Sequence, residues 1–279
     1  MTTTQNRRIT FTPARPATIG VTFGRVLYSE WIKLTTVRST MWSYAIVVLV
    51  SVGLAFLMSI GLSTEYTADM PAERQTSMIV QAATFGAFFG QLVIAVLGVL
   101  VISGEYTTGM IKSTLTAVPR RLPALVAKAV VLFVSSFVVG LVSAMGAYAI
   151  AAPILAGKGI GASLADPAVF MPILGSALYL AVVSVFALGI GAIVRSGAGG
   201  IATAVGLILL LPLTFAIARL DWMTDVAPYL LMNAGMSSFG LSAFAGESPL
   251  DTWQQVAVTL VWAAVALAVG AVLLKRRDA

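Results

Sequence analysis

The chain has 279 residues, 59% of them hydrophobic and only 10% charged, a balance that no soluble core needs and that marks a polytopic membrane protein. It has no cysteine and no histidine, which excludes disulfide and thiolate chemistry, zinc sites and Ser-His or Cys-His catalysis. The net charge of +6 points to nucleic acid only until the charges are placed along the chain, where they follow membrane topology instead.

Residues 1–17 are polar, basic and proline-containing. They read as a flexible cytoplasmic tail rather than a signal peptide, having no apolar core of the usual length. Residues 18–38 show helical periodicity. Ile19, Phe23, Val26, Leu27, Trp31, Leu34 and Val37 share one face, with Arg25, Ser29 and Thr36 opposite and Lys33 at the edge. This pattern predicts an amphipathic helix lying in the cytoplasmic interface, with Trp31 at headgroup depth. Glu30 falls inside the apolar face, where a carboxylate is costly unless paired. Lys33, three residues on, is a local partner; a basic residue elsewhere, near 102–121, is the alternative.

Six apolar runs follow, at 41–62, 77–103, 122–156, 168–194, 199–218 and 256–274. The shortest are about 28 Å long as helix, enough to cross the hydrocarbon core. Pro123 sits at a tolerated first-turn position of the third run. Lys128 enters that run one to two turns in and is placed to snorkel. Pro212 predicts a kink in the fifth.

Between the second and third runs lies the stretch 102–121. Gly104 and Gly109 read as breaks, and Pro119-Arg120-Arg121 as a stop. Met110, Ile111, Thr114, Leu115 and Val118 fall on one helical face; Lys112, Thr116 and Glu105 fall on the other. A short amphipathic helix at 106–117 is expected. It is too short to be stable alone and needs a surface, either lipid headgroups or a partner in the cytoplasm.

Six spans put both termini on one side. That side receives 14 of the 17 basic residues, whereas the other holds eight of the eleven acids, so the net charge is +11 on one side and −5 on the other. The positive-inside rule then predicts that the termini, including 275–279, and the stretch 102–121 are cytoplasmic. The outer segment 219–251 is apolar enough to dip into the membrane but too broken to cross it, which predicts a re-entrant pair of short helices.

The spans carry almost no charge at mid-depth; Gln81 and Gln91 are the main polar intrusions. This weighs against an ion-coupled carrier, which needs intramembrane carboxylates or unwound ion sites. Gly157-Lys158 does not fit a phosphate loop, so the chain cannot hydrolyse ATP by that route. Gly86-Ala-Phe-Phe-Gly90 is a small-xxx-small match that suits close helix packing, within the chain or across a dimer. Phe85, Phe88, Phe89, Met58 and Phe215, with Gln81 and Gln91, are candidates to line a pathway; facing lipid or neighbouring helices is the alternative.

With those residues placed, the chain resembles the membrane (permease) subunit of a type-2 ATP-binding-cassette transporter, of the bacterial drug and peptide exporter kind. Tyr28-Ser-Glu-Trp-Ile-Lys-Leu-Thr-Thr-Val-Arg-Ser-Thr resembles that family's interfacial connecting helix. Gly104-Glu-Tyr-Thr-Thr-Gly-Met-Ile-Lys-Ser-Thr-Leu resembles its Glu-x-x-x-Gly entry to a coupling helix, here Glu105 and Gly109. Ala227-Pro-Tyr-Leu-Leu-Met-Asn-Ala-Gly resembles the outer segment before the last span. The resemblance implies an all-α fold of six transmembrane helices in the bacterial plasma membrane. It also implies a second membrane subunit, the same or different, and a separate cytoplasmic ATPase that binds the ATP and Mg.

Glu105, Gly109, Met110, Ile111 and Leu115 would then couple to the ATPase, and Glu30, Trp31 and Lys33 would belong to the interfacial helix. The substrate expected from an uncharged lining is amphipathic or hydrophobic: a drug, a peptide or a lipid-like molecule. The competing classes are a non-transporting membrane sensor or resistance protein and an ion-coupled carrier. Membrane lipid is an expected partner; nucleic acid is not.

Overall fold

The computed structural model describes residues 22–61, 71–110, 122–218, 220–241 and 248–277. They fold into helices with no strand among the described residues. In order these are α1 (Phe23–Thr36), α2 (Arg38–Gly61), α3 (Ala72–Thr84), α4 (Gly86–Thr107), α5 (Leu122–Ala156), α6 (Pro167–Val194) and α7 (Gly197–Val205). A π turn at Gly206–Leu210 leads into α8 (Leu211–Ala218), followed by α9 (Asp221–Val226), a 3₁₀ turn at Ala227–Tyr229, α10 (Leu231–Ser237) and α11 (Thr252–Arg277).

Six helical stretches are long and apolar enough to cross a membrane: α2, α3–α4 together, α5, α6, α7–α8 together and α11. They match the six expected runs; five begin earlier, three of them by three residues or more. The first starts at Arg38, the second at Ala72 and the last at Thr252. Polar first turns such as Ala72-Glu73-Arg74 extend a helix past its apolar run, because end residues can sit in water while still making backbone bonds.

Helix α6 is the axis of the fold. It packs against α4, α5 and α11, and Phe186, Val183, Leu188 and Ala187 along it are buried. Its neighbours approach closely because glycine stands at the crossings. A Cβ on Gly189 would lie 2.5 Å from the carbonyl carbon of Ala266 in α11, and one on Gly98 of α4 would lie 2.6 Å from the Ser184 carbonyl oxygen. Such small-residue contacts carry helix association in lipid, where no hydrophobic force draws apolar helices together.

The Gly86–Gly90 match is used inside the chain. A Cβ on Gly86 would meet Ser51 of α2 at 2.3–2.5 Å, and one on Gly90 would touch Val47 of α2 at 3.3 Å. The expected kink at Pro212 takes the form of the π turn, closed by a bond from the Leu211 N–H to the Gly206 carbonyl. Proline has no N–H to give the residue 208 carbonyl and crowds it sterically; one extra residue in the turn relieves both problems. The fifth span buries a narrow stripe of Gly200, Ala204, Ile208 and Pro212.

Two expectations about 102–121 change. Gly104 does not break the chain: α4 runs through it to Thr107. A glycine inside a helix costs only about 1 kcal/mol, which a long packed span absorbs. The break falls at Gly109, whose φ of +72° is a left-handed conformation open to glycine without strain. Glu105 therefore belongs to the last turn of the second span, not to the polar face of a separate helix. Of the helix expected at 106–117, residues 111–117, with Ile111 and Leu115, lie outside the described residues.

A buried ring of four charges as the candidate functional site

Helix α1 lies across α5, and its buried positions are Val26, Glu30 and Leu34. These are four residues apart and so share one face. Trp31 and Phe23, expected on that face, are about half exposed. The carboxylate of Glu30 is thus carried into the protein by the apolar residues one turn before and after it.

Three other charges meet it there. The Lys33 ammonium donates to Glu30 Oε1 at 2.7 Å and to Glu105 Oε1 at 3.0 Å. The Lys128 ammonium donates to Glu30 Oε2 at 2.5 Å and to Glu105 Oε1 at 2.9 Å. The four groups form a closed ring of alternating sign: Lys33, Glu30, Lys128, Glu105 and back. It unites α1, the last turn of the second span and the start of the third. Both readings of Glu30 hold together, since it pairs locally with Lys33 and across the fold with Lys128.

Lys128 does not snorkel. Its residue is 6% exposed, because two carboxylates inside the protein offer charge-assisted hydrogen bonds that outcompete the route to water. Glu105 Oε1 accepts from both lysines, whereas Glu105 Oε2 is buried with no hydrogen-bond partner among the described residues. Burial tends to pull the Lys33 pKa down, but its hydrogen bond to Glu30 and the charge of Glu105 outweigh that and hold it above its ordinary value. Lys33 is therefore charged throughout the neutral range. A cavity of about 390 Å³ opens beside the ring, walled by Leu34, Val37, Leu97, Leu100, Val101 and Val131.

A second tie meets the chain one residue further on. The Arg195 guanidinium lies 5.2 Å from the centre of the Tyr106 ring, within cation–π range. Its Nη2 donates to the Leu273 carbonyl near the end of α11 at 3.2 Å. In the sequence Arg195 stands out only as one of the positive charges, since its partners come from remote segments. The only local signal was an arginine preceding Ser-Gly in a very short link between two spans.

Of the other sequence-selected residues, Gln91 is fully buried and accepts a hydrogen bond from the Tyr179 hydroxyl. Gln81 is exposed. Phe85 stacks on Phe88 at 6.2 Å, and Phe215 meets Trp222 edge-on at 5.6 Å; all of these rings but that of Trp222 are half-buried. Met110 and Gly109 follow the end of α4, with Met110 exposed. In the outer segment, α10 is buried from Leu231 to Met236, and Asn233 donates to the Ala227 carbonyl at 2.9 Å.

Six spans, an amphipathic helix docked on them and a charged ring at one end define a multi-pass membrane protein whose polar machinery gathers where the second span ends. The chain belongs to the ABC-2 family transporter proteins, whose family profile matches residues 25–279. Its members are the membrane, non-catalytic components of ATP-binding-cassette transporters, with the ATPase on a separate subunit. No curated protein matches the chain.

Proposed function

We propose that this chain is the permease of an ATP-driven exporter and that the charged ring couples it to the ATPase. The observation that carries this reading is the closed ring of Glu30, Lys33, Glu105 and Lys128. It locks the end of the second span to α1 and to the third span, immediately before the stretch 106–117. A push on that stretch from a cytoplasmic ATPase would reach three elements at once rather than bend one helix end. Glu105 is the anchor of this arrangement, Gly109 gives the turn into the coupling helix, and Met110, Ile111 and Leu115 are its docking face.

The positive side of the chain, with both termini, faces the cytoplasm. The segment 219–251 re-enters the outer face, and two membrane subunits, identical or not, enclose the pathway. Gln81, Phe85, Phe88 and Phe215 are its candidate lining, suited to an amphipathic or hydrophobic substrate; Gln91, expected among them, is instead sealed inside the chain against Tyr179. The test is a pull-down of the chain from its native membrane in mild detergent, read by mass spectrometry. A soluble ATPase co-purifies with the native chain and is lost from Glu105→Ala and Ile111→Pro, which still insert. An ATPase retained by both variants, or absent from the native chain, overturns the reading.

A further inference from the structure

We propose that Arg195 is a positioning residue that fastens the end of the second span to the end of the last, so that the two move as one body when the ATPase acts. The inference rests on the coupling role proposed for the stretch after Glu105. It starts from backbone geometry. Arg195 ends α6 with φ +58° and is the one non-glycine residue with positive φ among those described. Helices commonly end this way, but with glycine, because a Cβ is crowded in the left-handed region. Gly197 stands only two residues on, so glycine is used in this link, but not at the left-handed position. A strained position that retains a large side chain points to work done by that side chain.

The work is visible in two of its contacts. The guanidinium face covers Tyr106, the residue after Glu105, and an edge N–H reaches the Leu273 carbonyl. The second contact places positive charge near the C-terminus of α11, where the helix dipole favours it. Lysine has no flat face for the ring and no rigid fork to serve both partners. Arg195 thus bridges elements that the ring of four charges does not touch: the corner between the fourth and fifth spans and the end of the sixth. Glu105 is held from one side by α1 and α5, and Tyr106 from the other by Arg195.

The chain has no native cysteine, so spin labels can be placed at Thr108→Cys and Arg276→Cys, both exposed, in the complex with its ATPase. The distance between them is measured without nucleotide and after trapping with ATP and vanadate. In the native background the intrachain distance, isolated by diluting doubly labelled chains with unlabelled ones, stays single and narrow in both states. In Arg195→Gly it broadens or shifts on trapping, while the unfolding temperature stays close to the native value because the strained backbone is relieved. Tyr106→Leu broadens it likewise, and Tyr106→Phe, which keeps the ring, does not.

A narrow, unshifted distance in both Arg195→Gly and Tyr106→Leu refutes the proposal, as does a native distance that itself changes on trapping. An unfolding temperature lowered in Arg195→Gly with no change in distance assigns the residue to stability alone. Assembly is scored first: a chain that carries no ATPase refutes the coupling reading and this one with it. A complex that assembles, hydrolyses ATP and keeps its distance in the variants refutes only the role of Arg195.

Discussion

Lys128→Met is the sharpest perturbation of the ring. The side chains are of similar length, and only the charge and the donors are lost. Among the described residues, Lys128 gives Glu30 Oε2 its only hydrogen bond, and it shares Glu105 Oε1 with Lys33. After the change, two buried carboxylates face one ammonium, so a neutral ring becomes a ring of charge −1. Breaking a buried ion pair on one side costs about 3–5 kcal/mol, because the orphaned charge stays out of water. At roughly 2–4 °C per kcal/mol for chains of 150–250 residues, the expected fall in unfolding temperature is about 6–20 °C. The fall should be read by thermal melting in detergent.

The double variant Lys128→Met with Glu30→Gln removes the excess charge and recovers much of that loss, since the remaining Lys33–Glu105 pair is neutral. A single variant that melts within about 2 °C of native, or a double variant no better than the single, refutes the account of the ring as a mutually satisfied unit.

Further outcomes follow from the same geometry. Gly235→Ala places a Cβ 2.1 Å from the Tyr179 ring; it displaces that ring from Gln91 and lowers the melting temperature by several degrees, consistent with about 1–3 kcal/mol for overpacking. Gly104→Ala, with nothing within 4 Å of its Cβ, is neutral or stabilising by up to about 1 kcal/mol. Gly109→Ala, at φ +72°, costs about 1–2 kcal/mol by the same melt. For Lys33 the folded-state pKa lies above its ordinary 10.5. Its contribution is therefore complete below that pH and is lost as pH rises through the folded value. The difference in melting temperature between native and Lys33→Met is constant across the neutral range and narrows only in strong alkali.

The spans were legible because hydropathy and length alone decide what crosses a bilayer, and α1 because its apolar residues recur at helical spacing. Glu30 was legible as a misfit: a carboxylate on an apolar face demands a partner. That a remote basic residue near 102–121 would share it was also open to reading, but not that this is Lys128, which lies 98 residues away and whose local sequence gives it an equally good route to water. Gly104 misled because glycine reads as a breaker locally, whereas tertiary packing along α4 outweighs so small a propensity. Arg195 left only a faint mark, an arginine before Ser-Gly in a short link, because neither its left-handed backbone nor its remote partners can be read from the residues beside it. The π turn was foreshadowed by Pro212, which announces a disturbed hydrogen-bond ladder but not the form its repair takes.

The central claim, that the stretch after Glu105 is where the ATPase engages this chain, is tested most directly by site-specific crosslinking. Single cysteines introduced in turn at Met110, Ile111, Leu115 and, as a control on the opposite end of the bundle, Ser163 would carry a short photoactivated crosslinker in native membranes. The account predicts an adduct between this chain and a soluble ATPase from the first three positions and none from Ser163. No ATPase adduct from any of the three, in membranes where the complex is otherwise recovered intact, would contradict it.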